Sequence, residues 1–224
     1  MKKGLFAAAL GCALFSVNSQ ADTIAGVYAG AQAWQTDTSG GFADSSSMAD
    51  FNFSDETNTS LYIAFEHPLP LVPNIKVGHT TLDNNGTTTL DANFTFDGEL
   101  YTANSEVDTV IELDATDLIL YYELFDNDLI SFDVGLNAKY IDGAFFVEDT
   151  DSDTQSSGDF TGVVPMVYSK VQVGLPFTGL AAYAEGSYLS FDDHELSDYQ
   201  VAVTYSFIES IAIDMTVQVG YRNV

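Results

Sequence analysis

The sequence predicts an all-β fold, an antiparallel up-and-down barrel, on three observations. Apolar residues recur with period two, the connections between the periodic runs alternate in length, and charge is kept off one face of every strong run. In Leu129 to Gly143, the residues Ile130, Phe132, Val134, Leu136, Ala138 and Tyr140 share one face, while Ser131, Asp133, Gly135, Asn137 and Lys139 share the other. Ser197 to Phe207 places Tyr199, Val201, Val203, Tyr205 and Phe207 on its apolar face. Ile211 to Tyr221 does the same with Ile211, Ile213, Met215, Val217, Val219 and Tyr221.

Weaker alternation marks six more strands: Ile24 to Gln35, Asn58 to Glu66, Asn74 to Leu82, Val107 to Leu124, Val163 to Val173 and Leu180 to Phe191. Nine strands are therefore visible. The short connections, Pro68 to Pro73, Asp126 to Asp128, Leu175 to Gly179 and Ile208 to Ser210, carry turn residues. The others, Thr36 to Thr57, Asp83 to Glu106, Asp142 to Gly162 and the briefer Asp192 to Leu196, are acidic. One end of the sheet is trimmed and the other elaborated.

The N-terminus reads as an export signal over residues 1–21. Lys2 and Lys3 precede an apolar run from Leu5 to Val17, and Ser19 and Ala21 stand at small-residue cleavage positions. Cys12 is the single cysteine and lies inside it, so residues 22–224 carry no thiol for a disulfide, metal site or nucleophile. Cys12 as a lipid attachment site is disfavoured by the order Ala9-Leu10-Gly11 before it. Two of the six basic residues and none of the 33 acids fall in the signal, leaving a formal charge of −29 for the remainder. Such a chain offers no basic patch for phosphates, which excludes nucleic acid as a partner. With 46% hydrophobic and 13% aromatic residues, it still commands a large apolar surface.

Alternation alone does not separate a lipid-exposed barrel from a soluble sandwich. The charges favour the barrel. All four remaining basic residues, Lys76, Lys139, Lys170 and Arg222, fall on the face opposite the apolar one, together with Glu66, Asp117, Glu123, Asp133, Glu185, Asp198 and Asp214. Lysine confined to strands implies partners inside, and closure into a barrel satisfies every strand edge, which lipid requires. Phe65, Tyr122, Tyr140, Tyr199, Phe207 and Tyr221 lie near strand ends, as interfacial girdles do. The reading is thus a transmembrane barrel with short periplasmic turns and long external loops. Single-chain bacterial barrels have even strand numbers. We therefore expect ten strands when complete, and a domain over residues 22–224 that lacks its closing strand.

The segments "EHPLPLVPNIKV" (66–77) and "GVVPMVYSKVQVGLPFTGL" (162–180), with "SLYIAF" and "LSDYQVAVTY", resemble a family of small Gram-negative outer-membrane β-barrel proteins with no settled activity. The resemblance extends over essentially the whole chain after the signal. Its motifs are strand and turn signatures, so it implies a fold and an address, the cell outer membrane, and no chemistry. The missing closing strand departs from the family pattern.

A barrel of eight to ten strands is about wide enough to be filled by side chains. The inward residues predict a polar, plugged lumen: a network of Glu66, Lys76, Glu123, Asp133, Lys139, Lys170, Glu185, Asp214 and Arg222, with Tyr28, Trp34, Tyr121, Tyr168 and Tyr183 among them. Glu66 and Lys76 flank the Pro68 to Pro73 turn and are expected to pair and pin that hairpin. The function expected is structural or weakly permeative, for a monomer whose partners are outer-membrane lipid, lipopolysaccharide and the barrel-assembly machinery. No enzyme motif and no cofactor are expected.

Two alternatives draw on the external loops. In "EDTDSDTQSSGD", Asp149, Asp151 and Asp153 stand at alternate positions, an oxygen-rich cluster of the kind Ca2+ or Mg2+ accepts, although the EF-hand order is absent. This would make the chain a surface ligand- or divalent-cation-binding protein. Asp192-x-His194 faintly resembles the Asp-x-His of omptin-type outer-membrane proteases, with Asp149, Asp151 or Asp153 as the second acid; this would make it a hydrolase dependent on His194.

Overall fold

The computed structural model describes residues 14–17, 26–43, 48–127, 129–192, 194–209 and 214–224. They are almost entirely strand: β1 (Leu14–Val17), β2 (Gly26–Thr36), β3 (Ser39–Ala43), β4 (Met48–Asn52), β5 (Glu56–Glu66), β6 (Asn74–Thr81), β7 (Asn84–Thr89), β8 (Phe94–Phe96), β9 (Glu99–Tyr101), β10 (Glu106–Asp126), β11 (Ile130–Asp149), β12 (Gln155–Leu175), β13 (Leu180–Phe191), β14 (His194–Glu209) and β15 (Asp214–Asn223). Among the described residues no helix is long and apolar enough to cross a membrane.

Nine of these strands correspond to the nine expected. They form a strongly curled, barrel-like antiparallel meander, β2–β5–β6–β10–β11–β12–β13–β14–β15, in which each strand pairs with the next. Its two edges, β2 and β15, are both paired to β1. Leu14–Val17 belongs to the expected export signal, yet it occupies the position that the sequence reading reserves for a tenth strand. A strand between two open edges satisfies both rows of backbone groups. The rest of the expected signal lies outside the described residues, as do Ile211 and Ile213.

The long connections hold more structure than expected. β3 and β4 form a hairpin within the 36–57 connection, and β8 and β9 form another within 83–106. β7 pairs with the outer end of β10, Ile111 to Glu106. The 142–162 connection is mostly ladder, because β11 runs on to Asp149 and β12 begins at Gln155. Gly143 does not end the strand there. It faces Phe160 across the ladder, and a Cβ in its place would collide with that ring.

The extension has its own core, formed by Leu90, Phe94, Tyr101, Val107 and Val147, with Phe53, Phe96 and Phe145 packed against it. Tyr101 is fully buried, its hydroxyl 2.8 Å from Ser156 Oγ and 3.1 Å from the Val147 carbonyl. Burial raises the phenol's pKa above its ordinary value, so it remains a neutral donor.

The two faces exchange character at one level. Along β11 the outer residues Ile130, Phe132, Val134, Leu136, Ala138 and Tyr140 give way to Asp142, Ala144, Phe146 and Glu148. The inner series changes the opposite way, from Asp133, Asn137 and Lys139 to Phe145 and Val147. β10 changes from outer Tyr122, Leu120 and Leu118 to Asp114, Glu112, Val110 and Asp108, and β12 from outer Val167 and Val163 to Thr161 and Asp159. The register puts Asp114, Asp142 and Thr161 side by side.

Candidate functional site

The concave interior gathers the basic residues of the strands, and its contacts fall into layers. Asp117 on β10 and Lys139 on β11 stand directly opposite each other in the ladder. Lys139 is buried, with Nζ 2.8 Å from Asp117 Oδ1 and 2.9 Å from Asp198 Oδ2. Asp198 belongs to β14, three strands away, so this bond crosses the curl. Arg222 on β15 grips Asp198 with both nitrogens, Nε to Oδ1 at 3.0 Å and Nη2 to Oδ2 at 2.8 Å. Its guanidinium lies 4.9 Å above the Trp34 ring centre, and Nη2 reaches Thr80 Oγ1 at 3.4 Å. Asn137 donates to Asp117 Oδ1 at 2.6 Å and to Ser187 Oγ at 3.0 Å. Two cations and two carboxylates thus balance, the condition for holding charge out of water.

One layer nearer the short turns, Lys76 on β6 forms an ion pair with Glu185 on β13, again across the interior. Glu185 also accepts from Tyr168 Oη and Gln200 Nε2, each at 3.3 Å, and Lys76 Nζ lies 4.6 Å from the Tyr62 ring centre. This overturns the expected Glu66–Lys76 pair. Lys76 is opposite Ala64 in the ladder, two residues deeper than Glu66, and its long stem reaches inward to the far wall. Glu66 instead accepts from Tyr121 Oη at 2.7 Å. The hairpin is pinned by other means: the His67 amide donates to Asn74 Oδ1 at 3.0 Å and its ring meets the Pro73 carbonyl at 3.2 Å.

In the lowest layer Asp133 and Lys170 are cross-strand partners, and Lys170 Nζ lies 6.0 Å from the Tyr183 ring centre. Asp133 is only 4% exposed, and its Oδ1 has no hydrogen-bond donor. Tyr183 Oη donates to Gln218 Oε1 at 2.9 Å. Glu123 is exposed at the rim, beside Glu66. Asp214 starts β15, and its side chain lies outside the described residues.

Two cavities separate these layers. A small one of about 60 Å³ borders Asp117, Asn137, Asp198 and Arg222. A larger one of about 210 Å³ is lined by Glu66, Asp133, Lys170 and five tyrosines, Tyr28, Tyr62, Tyr121, Tyr168 and Tyr183. Tyr62, Lys76, Tyr168, Glu185 and Gln200 border both.

The network expected from sequence is therefore brought together for Lys76, Lys139, Glu185 and Arg222, with Glu66, Asp133 and Lys170 around the larger cavity. Asp117 and Asp198, which the nominated network omits, anchor its most buried part. Parity along the strand puts both inward. Their position opposite or across from Lys139 needs register and curl, which parity does not carry.

The loop candidates stay apart. Asp149 is 4% exposed and its Oδ1 accepts from the Asp151 amide at 2.9 Å, an Asx turn. Asp151 Oδ2 meets the Glu106 amide at 3.4 Å, and Asp153 is exposed. Among the described residues no group of three or more His, Cys, Asp or Glu is placed to hold a metal ion. His194 is exposed at the start of β14, opposite Phe191. Asp192 takes a left-handed φ of 55° in the turn before it, and Asp193 lies outside the described residues. No protein-family model matches the chain, and no curated protein matches it.

Proposed function

We propose that this chain is an integral outer-membrane β-barrel protein, exported by residues 1–21, ten-stranded when closed and monomeric. Its plugged, ion-paired lumen gives it a structural or weakly permeative role. The observation that carries this reading is the exchange of face polarity at the level of Asp114, Asp142 and Thr161. Below it the outside is apolar and the inside charged; above it acids enter the outer series, beside Val110 and Phe146, and Phe145 and Val147 enter the inner one. A soluble sandwich has no reason to admit acids to its outer face at one height on three neighbouring strands, whereas a lipid–water boundary accounts for it.

The height of the apolar outside agrees. From Ile130 to Tyr140, a rise of about 3.3 Å per residue and a tilt near 40° give a band of about 25 Å, the height a barrel presents to lipid. Tyr122, Phe65 and Phe207 stand near its lower margin and Tyr140 at its upper one, all between 41% and 46% exposed. Outer-membrane lipid, lipopolysaccharide and the barrel-assembly machinery are the partners this role implies.

The test is fractionation followed by reconstitution. The full-length protein should stay with urea-washed outer membranes and migrate differently on gels with and without boiling. In planar bilayers it should give at most small, infrequent conductance steps. Recovery as a detergent-free soluble protein from the periplasm would overturn the proposal.

A further inference from the structure

We propose that the cavity of about 210 Å³ in the interior is a binding site for one small organic ammonium ion. The inference rests on the cavity's walls and stands apart from the membrane address.

Charge is the first argument. The carboxylates on the cavity are Glu66, Asp133 and Glu185, and the cations are Lys76 and Lys170. Lys76 and Glu185 are committed to each other, and Glu185 has two further donors. Lys170 stands opposite Asp133 in the ladder, and Glu66 is met by the Tyr121 hydroxyl at 2.7 Å. The chamber's lining therefore counts three carboxylates against two ammonium groups.

The second argument is Asp133 itself. It lines the cavity, is 4% exposed, and has one oxygen with no donor among the protein groups. A buried carboxylate oxygen left in that condition is costly, and a bound cation relieves the cost. The third argument is the wall. Five tyrosines line the chamber, and the protein already holds its own cations with ring faces: Lys76 over Tyr62 and Lys170 over Tyr183 here, and Arg222 over Trp34 above. Carboxylate plus aromatic face is the recognition chemistry of alkylammonium groups.

Size selects the class. A cavity of roughly 150 Å³ accommodates benzene, so this one takes a compact alkylammonium somewhat larger than that and excludes a peptide or sugar chain.

The experiment is calorimetric titration of the full-length protein in detergent with choline, and with dimethylbutanol, its uncharged carbon isostere. Choline is expected to bind one to one, at least tenfold more tightly than the alcohol. Asp133→Asn, which keeps the shape and removes the charge, should weaken choline at least tenfold, while Asp114→Asn on the outer face should leave it unchanged. Trp34 emission reports whether each variant is folded. No choline binding at millimolar concentration would overturn the proposal, as would equal binding of the alcohol. If Asp133→Asn does not fold, the comparison of choline with its isostere on the unsubstituted protein decides.

Discussion

Replacing Lys139 by methionine tests the interior network most directly, because the change keeps the stem and removes only the charge. The side chains of Lys139 and Asp117 are 3% and 11% exposed, so solvent screening gives little relief. In the variant, Asp198 retains both bonds from Arg222, but Asp117 keeps only the Asn137 amide at 2.6 Å. Breaking a buried pair by removing one partner costs about 3–5 kcal/mol, since the other charge stays behind. We expect a loss in that range, concentrated at Asp117. Guanidinium unfolding of protein refolded into lipid vesicles measures it, with Trp34, the one tryptophan of the chain, as the probe. Lys139→Met combined with Asp117→Asn should recover most of the loss, because no charge is then stranded. A loss below about 1 kcal/mol for the single variant is the value of an exposed pair. That result would refute the idea of a dry, mutually dependent cluster.

Leu136→Lys places a charge in the middle of the apolar outer band, at a residue 67% exposed, and should cost about 2–4 kcal/mol in lipid. Glu112→Lys, above the level where the faces exchange, should cost about 0–1 kcal/mol in the same unfolding assay; equal costs would place the boundary wrongly. Arg222→Lys loses the two-nitrogen grip on Asp198 and the stacking on Trp34, and should destabilise by about 1–2 kcal/mol with a shift in Trp34 emission. Tyr101→Phe removes the hydroxyl that meets Ser156 and Val147. It should loosen the extension by about 1–2 kcal/mol, seen as faster proteolysis of residues 83–106 while the rest of the sheet stays resistant.

The meander was legible because period two survives over most of each long strand, with apolar residues on one face and polar ones on the other toward the short turns. What escaped was structure whose residues signal something else. "NNGTTT" in β7 reads as turn and linker, and becomes strand because β10 offers a free edge beside it. "AFFVED" beyond Gly143 puts apolar residues on both faces, so alternation fades where the strand in fact continues. The cue was available in the change of parity: Phe145 and Val147 are apolar on the side where Asp133 and Lys139 are charged. Within the interior, parity correctly turned Lys76, Lys139, Lys170 and Arg222 inward. It could not pair them, because partners such as Glu185 and Asp198 come from strands distant in the sheet. Local proximity in sequence misled at Glu66, where nearness to Lys76 was mistaken for contact.

Backbone ladders fix only the distance between neighbouring strands, so the cross-section of a curled sheet is set by what spans it. Three contacts do so: Lys76 with Glu185, Lys139 with Asp198, and Arg222 with Thr80. All three lie in the upper two layers, where the free space is about 60 Å³. Toward the short turns the contacts link strands two apart, Tyr121 with Glu66 and Tyr183 with Gln218, and about 210 Å³ stays open. The braces therefore crowd the upper layers and leave the larger chamber beneath them. On the proposed reading, a solute entering from the short-turn end would meet Tyr28, Tyr183 and Asp133 before the Lys139 cluster, so occupancy of the chamber and passage through the sheet would be separable properties. Substitution at Asp133 should alter the first and substitution at Lys139 the second.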